Sequence, residues 1–128
     1  MILCLDTSTP VCQLALIEGN WRHVATWESG RELAKGLLGY IQDELQKNDK
    51  TWEDLSGLVV FRGPGSFTGL RIGVTVLNSL AYARSIAIVG ELGENWRENG
   101  VVRLLSGEND EIVLPEYGGE ANITTPRK

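Results

Sequence analysis

Apolar residues along this chain fall first into short dense runs and then into helical stripes. Ile2 to Leu5 form an apolar run that stops at Asp6-Thr7-Ser8-Thr9-Pro10, a turn signal. From Val11 to Ile17 the chain reads as a strand again, and Leu14-Ala15-Leu16-Ile17 is too dense to line a sheet with one wet face. Glu18-Gly19-Asn20 predicts a hairpin turn, because glycine supplies a positive φ without steric cost. Trp21 to Trp27 alternates, with Trp21, His23 and Ala25 set against Arg22, Val24 and Thr26. Three consecutive antiparallel strands are therefore expected at the start. Leu33, Leu37, Leu38, Ile41 and Leu45 then make the stripe of a first helix, and a short helical turn is expected at Thr51 to Leu55. Leu58 to Phe61 reads as a strand buried on both faces, Phe67 to Arg84 as a second helix, and Ile86 to Val89 as another buried strand. Trp96, Val101, Leu104 and Leu105 suggest a third helix that Gly93 and Gly100 weaken, and Ile112 to Pro115 a last short strand. The order β-β-β-α-β-α-β predicts an α/β fold with an antiparallel hairpin feeding a mixed sheet.

Composition narrows the class. With 128 residues, 42% of them hydrophobic and 23% charged, the chain suits one folded domain, expected over residues 1–117 with a polar tail at 118–128. Its net charge of −5 makes it a poor partner for nucleic acid by itself, since phosphate affinity comes from clustered Lys and Arg. No apolar run approaches the roughly 20 residues of a membrane helix, and the start lacks signal-peptide features, so a soluble cytoplasmic protein is expected. Cys4 and Cys12 lie on two strands joined by a turn whose register the sequence does not fix; they read as small buried hydrophobes. One histidine, His23, and no CxxC pair give no ligand set for a metal, so no cofactor is expected.

The most informative stretch is Gly63-Pro64-Gly65-Ser66-Phe67-Thr68-Gly69-Leu70-Arg71-Ile72-Gly73. It is a strand, a glycine turn and a helix start, with Ser66 or Thr68 placed to cap the helix. Such a turn either serves packing alone or presents free N–H groups to a phosphate, although no Lys-Ser or Lys-Thr follows as a phosphate loop of the Walker type requires. Spacing leaves both readings open.

Taken with Leu3-Cys4-Leu5-Asp6-Thr7-Ser8-Thr9, this segment resembles the TsaB (YeaZ) family, and the resemblance runs from Ile2 to about Glu91. It implies a single ribonuclease-H-like half of the actin/Hsp70/sugar-kinase fold. It also implies a non-catalytic dimerisation subunit that binds a TsaD-like catalytic subunit in making threonylcarbamoyladenosine in tRNA. A TsaE-like ATPase and tRNA would be met through the complex, and the isolated chain could pair with itself. Almost nothing corresponds to the family's second half. Pro115-Glu116-Tyr117 resembles the family's C-terminal Pro-x-Tyr, which suggests a lost middle between a kept start and end. Leu33-Ala34 stands where the family often has His-Ser. Asp6 is where kinases of this fold contact a metal–phosphate group. Asp6, Ser8, Gly65 and Ser66 are thus candidate nucleotide contacts for the rival reading, a small phosphotransferase; a homodimeric module with another client is the third.

The second helix argues for a partner independently. Leu70, Val74, Leu77 and Ala81 point one way, while Ile72, Val76, Leu80 and Ala83 point roughly 130° or more away. Two apolar stripes call for two neighbours, of which the first helix could be one. That helix carries interior glycines, Gly36 and Gly39, each costing roughly 1 kcal/mol against Ala unless something approaches closely. The expected partner surface, which the resemblance also places on these two helices, comprises Gly36, Gly39, Tyr40, Ile72, Val76, Leu80 and Ala83.

Overall fold

The computed structural model describes residues 1–117. The predicted polar tail at 118–128 lies outside them. The strands are β1 (Ile2–Asp6), β2 (Val11–Glu18), β3 (Trp21–Glu28), β4 (Gly57–Phe61) and β5 (Ala87–Glu91). The helices are α1 (Leu33–Lys47), α2 (Phe67–Arg84) and α3 (Trp96–Leu105), with single 3-10 turns at Gly30–Glu32 and Trp52–Asp54. All five strands form one sheet in the order β3-β2-β1-β4-β5. The first three pair antiparallel, and β4 and β5 add in parallel beside β1. The mixed sheet expected from the pattern is the one that forms.

Side chains of a strand alternate between faces, and both faces of the central strands are covered. Leu3, Leu5, Leu14, Leu16, Leu58 and Ile88 meet α1 and α2 on one side. Ile2, Cys4, Ala15, Ile17, Val59 and Val89 meet α3 through Trp96 on the other. This is why Leu14 to Ile17 carries no polar residue. It also separates the cysteines: Cys12 belongs to the first cluster and Cys4 to the second, so they cannot meet. Burial pushes both thiols up to about 12, which leaves them inert at neutral pH.

Gly100, which weakens the third helix by propensity, is buried where a Cβ would overlap Val59. Its lack of a side chain lets α3 lie close on the sheet. The last predicted strand does not form. Residues 112–116 make a strap held by side chains: Asn78 Nδ2 donates to Val113 O and Asn78 Oδ1 accepts from Val113 N–H, both at 2.9 Å. Arg62 Nε donates to Leu114 O at 2.9 Å. Val113 is buried in the main core while Ile112 and Leu114 are exposed, so the apolar run anchors by one residue. Burying such a side chain contributes about 1.5–3 kcal/mol.

Candidate functional site

The glycine-rich turn between β4 and α2 docks on the turn between β1 and β2. Ser66 caps α2, its Oγ accepting from Gly69 N–H at 3.2 Å, and Ser66 N–H donates to Ser8 O at 2.9 Å. Thr7 Oγ1 donates to Gly69 O at 2.6 Å. The glycines mark where the two turns touch. A Cβ on Gly65 would lie 2.5 Å from Ser8 Cβ, one on Gly69 would overlap Thr7 O, and one on Gly73 would overlap Thr7 Oγ1. Gly63 precedes Pro64 through a cis peptide bond and lies against Glu116 O.

This geometry bears on the candidate nucleotide contacts. The close approach that the glycines permit is filled by Thr7 and Ser8 of the same chain. Asp6 is buried, and its Oδ1 accepts Ser8 N–H at 2.8 Å, the bond of a side chain shaping its own turn. A groove of about 380 Å³ does open beside this junction, lined by Pro10, Arg31, Ser66, Thr68 and Ile72 among others. Of Asp6, Ser8, Gly65 and Ser66, only Ser66 reaches it. A larger open cleft of about 790 Å³ lies at the far end of α2, between Tyr82 and Ile112. Among the described residues no three His, Cys, Asp or Glu side chains gather as metal ligands, and no helix is long and apolar enough to cross a membrane. Sequence reading missed Thr7, on which two motif glycines rest; its only signal is its place between Asp6 and Ser8.

The helix faces are divided as follows. Leu70, Val74, Leu77 and Ala81 are buried against the sheet. Ile72, Val76 and Leu80 are half-buried against the main core cluster, to which α1 contributes Leu33, Leu37, Ile41 and Leu45, and α1 touches α2. The second neighbour of α2 is thus partly α1 of the same chain, and Ala83 is exposed. The expected surface on α1 splits. Gly36 and Tyr40 face β3: a Cβ on Gly36 would lie 2.8 Å from the Trp27 ring, which stacks on Tyr40 with centroids 4.9 Å apart. Gly36 therefore has a close neighbour inside the chain, Trp27, which by itself accounts for the missing side chain. Gly39 is exposed with nothing within 4 Å of a Cβ, and Leu38, one residue before it, is 51% exposed.

Glu44 is the other residue that the pattern did not single out. It sits in the buried stripe of α1 at 5% exposure, bonded to His23 Nε2 at 2.8 Å and Lys47 Nζ at 3.0 Å. Its signal is a carboxylate beside Ile41 and Leu45, facing the one histidine of the chain. Burial raises its pKa, and the bonds from His23 and Lys47 outweigh that, so the carboxyl is held below its ordinary 4.5. A depressed carboxyl contributes stability that is present above its unfolded value and lost as pH falls through the folded one. Glu44→Gln is expected to destabilise the fold at pH 7 by about 1–2 kcal/mol. The difference from the parent should shrink below about pH 4.5 in denaturant titrations at a series of pH values. A difference that stays constant across that range would remove the pair from the account.

Comparison with known proteins places this architecture. The family model described as TsaD, tRNA N6-adenosine threonylcarbamoyltransferase, matches residues 27–120. The tRNA threonylcarbamoyladenosine biosynthesis protein TsaB of Escherichia coli is 31% identical over 130 residues, covering 94% of this chain and 56% of that protein. TsaB of Bacillus subtilis is 34% identical over 89 residues, covering 68% and 38%. The solved structure of YeaZ from Pseudomonas aeruginosa superposes with a TM-score of 0.68 at 30% identity, over 77% of this chain and 49% of that one. The chain spans about half the length of the curated relatives it matches. The Escherichia coli alignment is 130 positions long for 94% of this chain, so it has no room for a gap of half a protein, and the expected lost middle is corrected to one continuous match. The fold, a mixed five-stranded sheet covered by helices, is the one shared with YeaZ, as the motif implied. The chain belongs to the tRNA N6-adenosine threonylcarbamoyltransferase family of that model, on its TsaB (YeaZ) branch.

Proposed function

We propose that this chain is a non-catalytic scaffold subunit in the making of N6-threonylcarbamoyladenosine in tRNA. It binds and activates a TsaD-like catalytic subunit in the cytoplasm through the outer surface of α1 and α2, and meets a TsaE-like ATPase and tRNA through that complex. The observation that carries this reading is the exposed Leu38 with open space at Gly39 on α1, together with the half-buried Ile72, Val76 and Leu80 on α2, the helix that α1 touches. An apolar rim along a helix pair, interrupted by a glycine with room for a close neighbour, is a docking surface in physical terms. The phosphotransferase reading has less to stand on, since Thr7 and Ser8 fill the space that the motif glycines leave.

Reconstitution tests the proposal. The chain alone, given tRNA and threonylcarbamoyl-adenylate, is expected to modify no adenosine, and to restore modification when a TsaD-like subunit is added. Modification without that subunit, or a TsaD-like subunit equally active with and without this chain, would overturn it. Isolated tRNA should bind only weakly at physiological salt, given the net charge of −5; a submicromolar dissociation constant by filter binding would contradict the charge argument.

A further inference from the structure

The sheet has two edges, and the chain treats them differently. On β5 the edge groups are occupied. Asp110 N–H donates to Ile88 O at 2.8 Å, Ile88 N–H donates to Asn109 Oδ1 at 3.1 Å, and Gly90 N–H donates to Asp110 Oδ2 at 2.9 Å. Arg103 ties this cap down by ion pairs with Glu91, Glu108 and Asp110. β3 is the other edge, eight residues long, and its outer backbone groups have no partner among the described residues.

Which groups point outward follows from the hairpin. Gly19, with φ 59, opens a two-residue loop that closes on the pair Glu18 and Trp21. Such a loop closes on a hydrogen-bonded pair, and hydrogen-bonded pairs then alternate along the ladder. Trp21, His23, Ala25 and Trp27 therefore bond to β2, which leaves the N–H and C=O of Arg22, Val24, Thr26 and Glu28 facing out. Those four side chains are all exposed, Val24 at 54%, as is Trp21 at the hairpin end.

Charges on an edge usually keep other strands away. Here they are of opposite sign and placed symmetrically, Arg22 three residues before Ala25 and Glu28 three after. Neither makes an ion pair among the described residues; Arg22 reaches only the Gly19 and Trp21 carbonyls, at 3.3 and 3.5 Å. An identical strand turned about a two-fold axis at Ala25 sets Val24 against Thr26 and Arg22 against Glu28, twice over, with out-facing groups meeting out-facing groups. A shift of two residues either way keeps the backbone match but sets each charge against a neutral residue. We propose that the free edge of β3 is a self-association surface, on which two copies of this chain pair antiparallel about Ala25 and join their sheets into one.

An eight-residue edge buries less than a standard interface, so the dimer is expected to be weak, with a dissociation constant on the order of tens of micromolar. Sedimentation across roughly 5 to 500 μM spans that range. Arg22→Glu and Glu28→Arg, each setting like charges opposite one another, should weaken the dimer by about tenfold or more, and the double swap should restore it. In parallel, Ala25→Cys puts two thiols at a non-hydrogen-bonded pair, about 4.5 Å apart at Cα, where a mild oxidant should cross-link them. Adding Arg22→Glu should abolish the cross-link. A parent chain that stays monomeric over the range, a dimer indifferent to both single changes, or a swap that fails to restore it would overturn the proposal. These readouts do not depend on a TsaD-like subunit, so they stand apart from the function proposed above.

Discussion

Gly69→Ala is expected to destabilise the protein by about 3 kcal/mol or more, a drop in melting temperature on the order of 10 °C. The new methyl group has to occupy the position of the Thr7 carbonyl oxygen, so the overlap is with backbone rather than with a side chain that can swing away. Relief requires lifting the start of α2 off the β1–β2 turn. That movement breaks the Thr7 Oγ1 bond to Gly69 O and the Ser66 N–H bond to Ser8 O. Gly39→Ala is the internal control, because the same helical substitution meets nothing within 4 Å. It should stabilise the isolated chain by about 0.5–1 kcal/mol through the better helix propensity of alanine. Thermal unfolding of the two variants beside the parent checks both signs. Equal melting temperatures would mean that the glycine motif is not a packing junction and would return weight to a ligand at that turn.

The element order was legible because hydrophobic period is set by backbone geometry, which the sequence carries locally. Leu14 to Ile17 showed two covered faces before any helix was placed on them, and Ser66 was one of two residues read as the cap of α2. What the sequence left open lies in contacts made over long separations. Thr7 and Gly69 are 62 residues apart, and a glycine kept small for a carbonyl looks the same as one kept small for a phosphate. Gly36 was read as a place for a close neighbour, and Trp27 is one inside the chain, brought in by the packing of α1 on β3. Residues 112–115 read as a strand because strand and strap share an apolar run. What separates them is a side-chain amide, Asn78, taking the two bonds that a neighbouring strand would make.

Val76→Asp is expected to weaken binding of a TsaD-like subunit by about 100-fold or more, because a carboxylate held in a dry contact costs several kcal/mol unless paired. Val76 is half-buried against the core, so the change also costs the fold something, about 1–2 kcal/mol. That double cost makes one variant insufficient. Leu38→Asp separates the two effects, since Leu38 is 51% exposed and its replacement should change stability by about 0.5 kcal/mol or less. Val74→Asp, on the buried stripe at 2% exposure, gives the opposite control and should abolish folding. Melting temperature and affinity for the TsaD-like subunit are measured on each. Near-native melting with lost binding for Leu38→Asp, together with lost binding in a folded Val76→Asp, assigns the α1–α2 rim to the partner. Unchanged affinity in both would leave that rim to solvent and move the search to α3, where Val102 and Leu105 stand 62% and 78% exposed on the opposite face of the sheet.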